Sequence, residues 1–126
     1  MQALFILYVA DQAASCAFYE STLGVAPRLD VPGMTEFDLP GGALLGLMPI
    51  TGIRRLLGPA LPDPELAAGI PRAELYLISP EAQVMHERAL AAGATELSLM
   101  EMRNWGQRAA YSLDPDAHVL AFALPE

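Results

Sequence analysis

Few side chains in this 126-residue chain have the type and spacing that catalysis requires. Glu36 and Asp38 alternate along a predicted strand, so they share one face, where two carboxylates could act as acid and base or attract a cationic ligand. A solvated strand face explains the same pair equally well. Cys16 lies within a predicted helix with no histidine near it in sequence, which favours a buried, inert thiol over a nucleophile.

The charge balance excludes several classes of function. Fifteen Asp and Glu residues stand against seven Arg, no Lys is present, and the net charge is −8. Without lysine, neither Schiff-base chemistry nor a P-loop is available. An acidic chain with scattered arginines is repelled by polyanions, so we expect neither nucleic acid nor an anionic membrane as a partner.

The cysteine content and the N-terminal residues indicate the cellular compartment of the protein. Cys16 is the only cysteine, which excludes an intrachain disulfide and any site built from several thiolates. Residues 1–9 are apolar but lack a basic leader and are soon followed by Asp11, so they predict a first strand rather than a signal peptide or a membrane span. We therefore expect a cytoplasmic protein.

The elements that must position these side chains occur twice. An apolar run ending at Val9 precedes Gly24 by fifteen residues, and a second run ending at Ile78 precedes Gly93 by the same interval, an offset of 69 between halves. Asp11 is a typical helix N-cap, and each glycine is a typical helix stop. The halves indicate one duplicated unit.

Each half predicts the order β-α-β-β-β. Short apolar runs begin the two units, a helix follows each run, and three further strands follow each helix. The predicted strands are 3–9, 26–31, 34–39 and 43–48, then 73–78, 95–101, 107–113 and 117–124. The helices are predicted between Asp11 and Gly24 and from Pro80 to Gly93.

The whole chain, residues 1–126, is predicted to be a single α+β domain. Residues 1–48 form the first module and residues 72–126 the second. Residues 49–71 carry five of the eleven prolines and connect the modules. This connection is long enough to be a functional loop, with helical turns predicted at 53–57 and 65–68, although a plain linker is the alternative.

Several residues of the chain resemble those of a known family. The run Val9-Ala10-Asp11, followed by Phe18-Tyr19 and Leu23-Gly24 and by the late run Asp114-Pro115-Asp116-Ala117-His118, is similar to the vicinal oxygen chelate superfamily. That group contains glyoxalase I, bleomycin-resistance and fosfomycin-resistance proteins, and extradiol dioxygenases. The resemblance covers essentially the whole chain.

The resemblance implies the glyoxalase/bleomycin-resistance fold, in which two βαβββ modules form a curved, mostly antiparallel eight-stranded cup, commonly in a homodimer. On the first strand, alternation then directs Leu4, Ile6 and Tyr8 into the cup and Val9 toward the helix. Ala117 stands where the family usually has glycine, in a turn that often requires a positive φ, so we expect strain there.

Metal-dependent relatives place ligands on the first and last strand of each module. Counting along the motifs, these positions fall on Leu4, Ala73, Ala121 and the segment 43–48, all of which are apolar. The resemblance therefore implies no metal and no other cofactor here. A register error of one residue would bring Glu74 into the cup, and this residue, His86 or His118 could then take part in an atypical metal site.

Metal-free relatives bind drugs in a groove, and the residues able to line one here are aromatic, sulfur-containing or polar. Trp and Tyr offer flat apolar area with a polar tip, and Arg103 can pair with a carboxylate or stack. The alternative is that Trp105 packs its loop onto the sheet and Arg103 holds Glu101. The predicted ligand-binding residues are Tyr8, Glu36, Asp38, Met48, Arg103, Trp105, Gln107 and Tyr111.

We therefore expect a protein that binds a small organic molecule, such as an antibiotic or another cyclic or cationic metabolite, without metal. The alternative is a glyoxalase-like lyase or isomerase, or a dioxygenase, with an atypical metal site. A third possibility is a partner-binding module whose cup is filled by its own Leu and Met side chains.

Overall fold

The computed structural model describes all residues, 1–126, and divides them into two compact units. The first unit contains Met1–Glu20 and Val25–Leu66, and the second contains Ser21–Gly24 and Ala67–Glu126. Each unit holds one four-stranded sheet, so the predicted α+β class and the eight strands are confirmed. No helix has the length and apolarity needed to span a bilayer.

The first unit forms a mixed sheet in the order β1-β4-β3-β2. Strand β1 pairs in parallel with β4, and the other two pairs are antiparallel. Its elements are β1 (Leu4–Val9), α1 (Gln12–Leu23), β2 (Leu29–Val31), β3 (Met34–Asp38), β4 (Leu44–Pro49) and α2 (Ile50–Leu57). Helix α1 begins where predicted, because Asp11 Oδ1 accepts the backbone N–H of Ala14 at 3.0 Å.

The second unit repeats this order, with a mixed sheet β5-β8-β7-β6. Its elements are β5 (Glu74–Ile78), α3 (Ala82–Ala91), β6 (Thr95–Met102), β7 (Arg108–Leu113) and β8 (Val119–Ala123). Helix α3 starts two residues after the predicted Pro80. The turn before it is closed by Ser79, whose Oγ accepts the Glu81 N–H and whose carbonyl accepts the Ala82 N–H.

The two faces of each sheet differ in burial. In the first sheet Phe37, Leu45 and Leu47 are completely buried on one face. On the other face Leu4 and Ile6 lie over Gly46, as the alternation predicts. In the second sheet Leu120 and Phe122 are buried on the face covered by α3, where the His86 ring lies 5.9 Å from that of Phe122.

The connection between the modules is structured. Helix α2 contains the first predicted helical turn, and a 3₁₀ turn, Pro64–Ala67, coincides with most of the second. Arg54 lies 3.7 Å from the carboxylate of Asp63 and 3.8 Å from that of Glu65, so one arginine joins α2 to this turn. Ala117 has a φ of +67° and is the only residue other than glycine with a positive φ. This confirms the predicted strain at Ala117.

Candidate functional site

The candidate site lies on the face of the second sheet that α3 does not cover. Four residues form a row across all four strands of the sheet, because Tyr76 and Tyr111 both pair with Ala121, and Tyr111 also pairs with Ser98. Ala121 is completely buried, while both tyrosines are half-buried. We call this surface the tyrosine face.

A chain of hydrogen bonds attaches the β6–β7 hairpin loop to the tyrosine face. Trp105 Nε1 donates to the hydroxyl oxygen of Tyr76 at 3.0 Å, and that hydroxyl donates to Gln107 Oε1 at 2.6 Å. The Trp105 residue remains 51% exposed. Trp105 therefore holds the loop on the sheet, as one of the two interpretations proposed, and still presents ring area to solvent.

Arg103 is engaged almost entirely by its own unit. Its Nε and Nη2 atoms donate to the Ala109 carbonyl, and Nη2 also donates to Ser98 Oγ at 2.6 Å and to the Leu99 carbonyl. Its guanidinium carbon lies 5.0 Å from the centre of the Tyr111 ring, and Nη1 lies 3.6 Å from Glu101. Arg103 thus stacks within the site and holds Glu101, rather than remaining open to a ligand carboxylate.

Glu74 lies on the same side of the sheet as Tyr76, since residues two apart on a strand share a face. Its side chain is exposed and forms no ion pair. Burial, followed by the negative charge of Glu74, raises the pKa of the Tyr111 hydroxyl, although Arg103 opposes this shift. Tyr111 therefore keeps its proton at neutral pH and can donate a hydrogen bond.

The remaining predicted residues lie in the first unit. Tyr8 and Met48 are direct neighbours on paired strands. Glu36 pairs with Gly46, and Asp38 pairs with Leu44, so the two carboxylates share a face, as expected. Asp38 is exposed and lies 3.6 Å from Arg28, whereas Glu36 is half-buried and has no ion pair.

The residues at the positions where the resemblance implies metal ligands do not fit a divalent cation. Leu4 lies beside Leu44, and Ala121 lies between two tyrosines. No three His, Cys, Asp or Glu side chains in the chain lie close enough together to bind a metal ion. Glu74, rather than the predicted Ala73, faces the site, and it is a single carboxylate.

The two histidines have partners away from the tyrosine face. His86 is buried on α3, and its Nε2 lies 2.9 Å from Glu96. His118 Nδ1 lies 2.9 Å from the carboxylate of Asp114 in the turn before β8. These histidines and Glu74 therefore do not form a common site.

An open groove of about 590 Å³ lies at the end of the second sheet, where the β6–β7 hairpin meets the residues after β8, and it shares Gln107 with the tyrosine face. There Arg108 pairs with Met102 of β6, its carbonyl accepts the N–H of Leu124 just after β8, and its side chain makes no ion pair. The other lining residues are Gly106, Gln107, Pro125 and Glu126.

Tyr76 was not predicted as a site residue, and Glu74 was considered only as the result of a register error. The signal that identifies both is the alternation Glu74-Leu75-Tyr76-Leu77, in which Leu77 is buried toward α3. Once Leu77 is placed against the helix, Glu74 and Tyr76 must face the opposite side.

No family model matches the sequence, and no curated protein matches it significantly. Solved structures do match. A glyoxalase-related enzyme from Fulvimarina pelagi is 24% identical with a TM-score of 0.81, over 98% of this chain and 86% of that one. A glyoxalase/bleomycin resistance protein/dioxygenase from Nocardioides is 24% identical with a TM-score of 0.76, over 97% of this chain and 81% of that one.

A third similar structure is a glyoxalase/bleomycin resistance protein/dioxygenase family enzyme from Burkholderia phytofirmans PsJN. It is 19% identical with a TM-score of 0.79, over 97% of this chain and 96% of that one. The agreement extends over nearly the full length of the chain and includes both βαβββ modules. The chain therefore has the fold of the glyoxalase/bleomycin resistance protein/dioxygenase superfamily, as its resemblance to vicinal oxygen chelate proteins implied.

Proposed function

We propose that this protein binds a small organic molecule with a planar or cyclic body on the tyrosine face, without a resident metal ion. The proposal rests on Trp105. Its side chain is half-exposed, and its ring N–H donates a hydrogen bond to the Tyr76 hydroxyl oxygen. An aromatic ring that is already oriented loses little conformational entropy when a ligand stacks on it.

The carboxylate of Glu74 would attract a cationic group placed close to it. Glu74 is an exposed carboxylate without an ion pair, while the nearby Arg103 is occupied by backbone carbonyls and Ser98. Names of the similar structures include bleomycin resistance, and bleomycin is a cationic antibiotic with planar rings. Sequestration of such a compound is the function that this site supports best.

Titration with bleomycin, followed by the fluorescence of Trp105, tests the proposal, because this residue is the only tryptophan. We expect a saturable change in intensity. Isothermal titration calorimetry of Trp105→Ala then establishes the site, since loss of the ring should weaken binding about tenfold or more. Unchanged affinity in that variant would place bleomycin elsewhere, and a titration of the wild type that changes neither the fluorescence nor the heat would exclude this ligand.

The carboxylates of the first unit provide a second test of charge selection. If Glu36 and Asp38 attract the cation, the double variant Glu36→Gln/Asp38→Asn binds bleomycin more weakly than the wild type. Glu36 has no ion pair, whereas Asp38 is partly neutralised by Arg28, so we expect Glu36→Gln to account for most of the effect. Equal affinities would show that Glu36 and Asp38 take no part in binding bleomycin.

The second candidate function is a glyoxalase-like lyase or isomerase, or a dioxygenase, with an atypical metal site. The position of Glu74 on the tyrosine face favours it, because this carboxylate replaces one of the expected apolar residues. Metal analysis of protein purified without a chelator separates the candidates. Stoichiometric nickel, zinc, manganese or iron that is lost in Glu74→Gln would support the enzyme.

We also propose that the protein forms a homodimer in the cytoplasm. Exposed apolar side chains along β6, including Leu97 and Leu99, support association with another polypeptide. Sedimentation equilibrium tests it, because a dimer has twice the 13.5 kDa mass of one chain. A mass of one chain at micromolar concentration would contradict the dimer.

A further inference from the structure

The open groove at the end of the second sheet lies on the side of that sheet that carries α3. Met102, Arg108 and Leu124 form a row across it, because Arg108 pairs with Met102 and its carbonyl accepts the Leu124 N–H at 2.9 Å. Leu124 follows Phe122 by two residues, and Phe122 is buried toward α3, so strand alternation places the row on that side. We call this surface the Arg108 groove; it lies across the sheet from the tyrosine face.

Apolar side chains form one part of the Arg108 groove. Met102 is 58% exposed, Leu124 is half-buried, and Pro125 is exposed. The volume of about 590 Å³ is within the range of small-molecule sites. An apolar group of a ligand would therefore bury area against these side chains.

Two opposite charges lie in the same groove. Arg108 and Glu126 are both exposed, and they are the only charged side chains among the residues that line it. Neither takes part in any ion pair of the chain, so they also do not pair with each other. The Glu126 carboxylate lies beside the hairpin loop, where its Oε1 would be 3.9 Å from a Cβ on Gly106.

This pair of charges disfavours a ligand that carries a charge of one sign only. A carboxylate that reaches Arg108 also approaches Glu126, and an amine that reaches Glu126 also approaches Arg108. In each case a repulsion offsets the attraction. A ligand with both charges and an apolar group would satisfy the whole groove, and an α-amino acid carries all three on one carbon atom.

We propose that the Arg108 groove binds an α-amino acid with a large apolar side chain. The carboxylate pairs with Arg108, whose guanidinium can donate two parallel hydrogen bonds to it. The ammonium group pairs with Glu126, and the apolar side chain packs on Met102 and Leu124. This proposal goes beyond the proposed function and does not depend on it, because the two surfaces lie on opposite faces of the sheet.

Four probes separate the three recognition elements. L-Phenylalanine has all of them, 3-phenylpropanoate lacks the ammonium group, 2-phenylethylamine lacks the carboxylate, and glycine lacks the apolar side chain. Each is titrated into ¹⁵N-labelled protein at about 0.15 M salt, which screens the net charge of the chain, and the backbone amide shifts of Gly106 and Arg108 are followed. We expect L-phenylalanine to bind about fivefold more tightly than each analogue, since one exposed ion pair contributes up to about 1 kcal/mol and the apolar group at least as much.

Two substitutions assign the charge preferences to their residues. Arg108→Gln should abolish the preference for L-phenylalanine over 2-phenylethylamine, and Glu126→Gln should abolish the preference over 3-phenylpropanoate. Arg72→Gln and Glu20→Gln are the matched controls, because they make the same charge changes at exposed, unpaired side chains outside the groove. Both controls should keep both preferences. All four side chains are exposed, so we expect every variant to fold.

The proposal is wrong if about 20 mM L-phenylalanine leaves the amides of Gly106 and Arg108 unshifted, or if it binds no more tightly than its analogues. It is also wrong if the preferences persist in Arg108→Gln and Glu126→Gln. Largest shifts at Tyr76 and Tyr111 would place the amino acid on the tyrosine face and overturn the assignment to this groove. Bleomycin binding at Trp105 is measured separately, so failure at one surface leaves the other unaffected.

Discussion

The buried carboxylate of Asp114 binds His118 twice, since its Oδ1 accepts the His118 backbone N–H at 2.8 Å and its Oδ2 lies 2.9 Å from the ring Nδ1. The same Oδ1 also accepts the Asp116 N–H at 2.9 Å. One side chain therefore organises the whole turn between β7 and β8.

This pair predicts that the stability of the protein depends on pH near neutrality. Burial alone would lower the pKa of His118, but the hydrogen bond and charge of Asp114, together with the charge of Asp116, raise it above the ordinary value. When folding raises the pKa of a histidine, its protonation stabilises the folded protein. The full stabilisation is present below the pKa of the unfolded state, about 6.5, and it is lost as the pH rises through the pKa of the folded state.

The free energy of unfolding, measured in urea from pH 5.5 to 8.5, should therefore fall more steeply with pH in the wild type than in His118→Gln. His86 is present in both proteins, so its contribution cancels in the comparison. Parallel pH profiles of the two proteins would show that protonation of His118 does not stabilise the folded protein.

A second prediction concerns the backbone at Ala117, whose φ of +67° is unusual for a residue with a side chain. Ala117→Gly removes the steric cost of the left-handed conformation, which is about 1 to 2 kcal/mol, while the added freedom of the unfolded chain offsets about 0.5 to 1 kcal/mol. We expect a net increase in the free energy of unfolding of about 0.5 to 1 kcal/mol by denaturant titration.

Ala43 provides the matched control, because it lies in a loop with an ordinary φ of −76°. Ala43→Gly gains nothing in the folded state and should lower the free energy of unfolding. Equal effects of the two substitutions would show that the conformation of Ala117 carries no strain.

A third prediction concerns Gln12, whose amide joins the start of α1 to the β2–β3 hairpin. Its Nε2 donates to the Val31 carbonyl at 2.8 Å and to Thr35 Oγ1 at 3.0 Å, and its Oε1 accepts the Gly33 N–H at 3.0 Å. Gln12→Ala leaves partly buried groups without partners, so we expect a loss of about 1 to 3 kcal/mol in the free energy of unfolding.

Gln83 is the comparison for Gln12, because its amide makes one exposed hydrogen bond to Glu87 at 3.0 Å on α3. Gln83→Ala should cost less than about 0.5 kcal/mol. A loss in Gln12→Ala as small as this would mean that water replaces the amide in the hairpin.

A fourth prediction concerns the reactivity of Cys16, which is 8% exposed. Burial, and then the negative charges of Asp30 and Glu20, raise the pKa of its thiol, although a hydrogen bond with Thr35 opposes this shift. Because the thiolate is the reactive form, labelling by an aromatic disulfide reagent at pH 8 should be at least about a hundredfold slower than for an unfolded cysteine. Protein unfolded in guanidinium provides the reference, and rapid labelling of the folded protein would show that the thiol is accessible.

The sequence predicted the elements well because their signals are local. The cap at Asp11, the positive φ of Gly24 and Gly93 and the alternation of apolar residues each act over a few residues, and the structure confirms them. The strain at Ala117 followed from the same kind of local reasoning.

The register between the halves was less accurate, since the offset was taken from the predicted ends of the first strands and from the glycines that follow the helices. Gly24 and Gly93 are 69 residues apart, but the helices α1 and α3 begin 70 residues apart, at Gln12 and Ala82. The segment from the start of α3 to Gly93 is one residue shorter than the segment from the start of α1 to Gly24. The offset of 69 placed Pro80 opposite Asp11, and a count of seven residues back from Pro80 therefore selected Ala73 at the position that Glu74 occupies.

The roles of Arg103 and Tyr76 required the three-dimensional structure. The carbonyls of Leu99 and Ala109 occupy Arg103 only because the hairpin loop folds back over β6 and β7. Likewise, the hydrogen bond between Trp105 and Tyr76 joins residues 29 positions apart, and no pattern in the sequence specifies that distance.

Gly46 lies on β4 and Ala121 lies on β8, which are the second strands of the two sheets. Each is paired with a large residue of the neighbouring edge strand, Ile6 for Gly46 and Tyr76 for Ala121. A Cβ at Gly46 would lie 3.1 Å from Ile6 and 3.2 Å from Met34, so an alanine there requires these two side chains to shift by a few tenths of an ångström. The side-chain size at these two positions therefore controls how large a ligand each surface can accept, which is useful for protein engineering. Ala121→Gly would deepen the tyrosine face for a bulkier guest, whereas Gly46→Ala would narrow the equivalent surface of the first half, and each half of the duplicated fold could be tuned independently of the other.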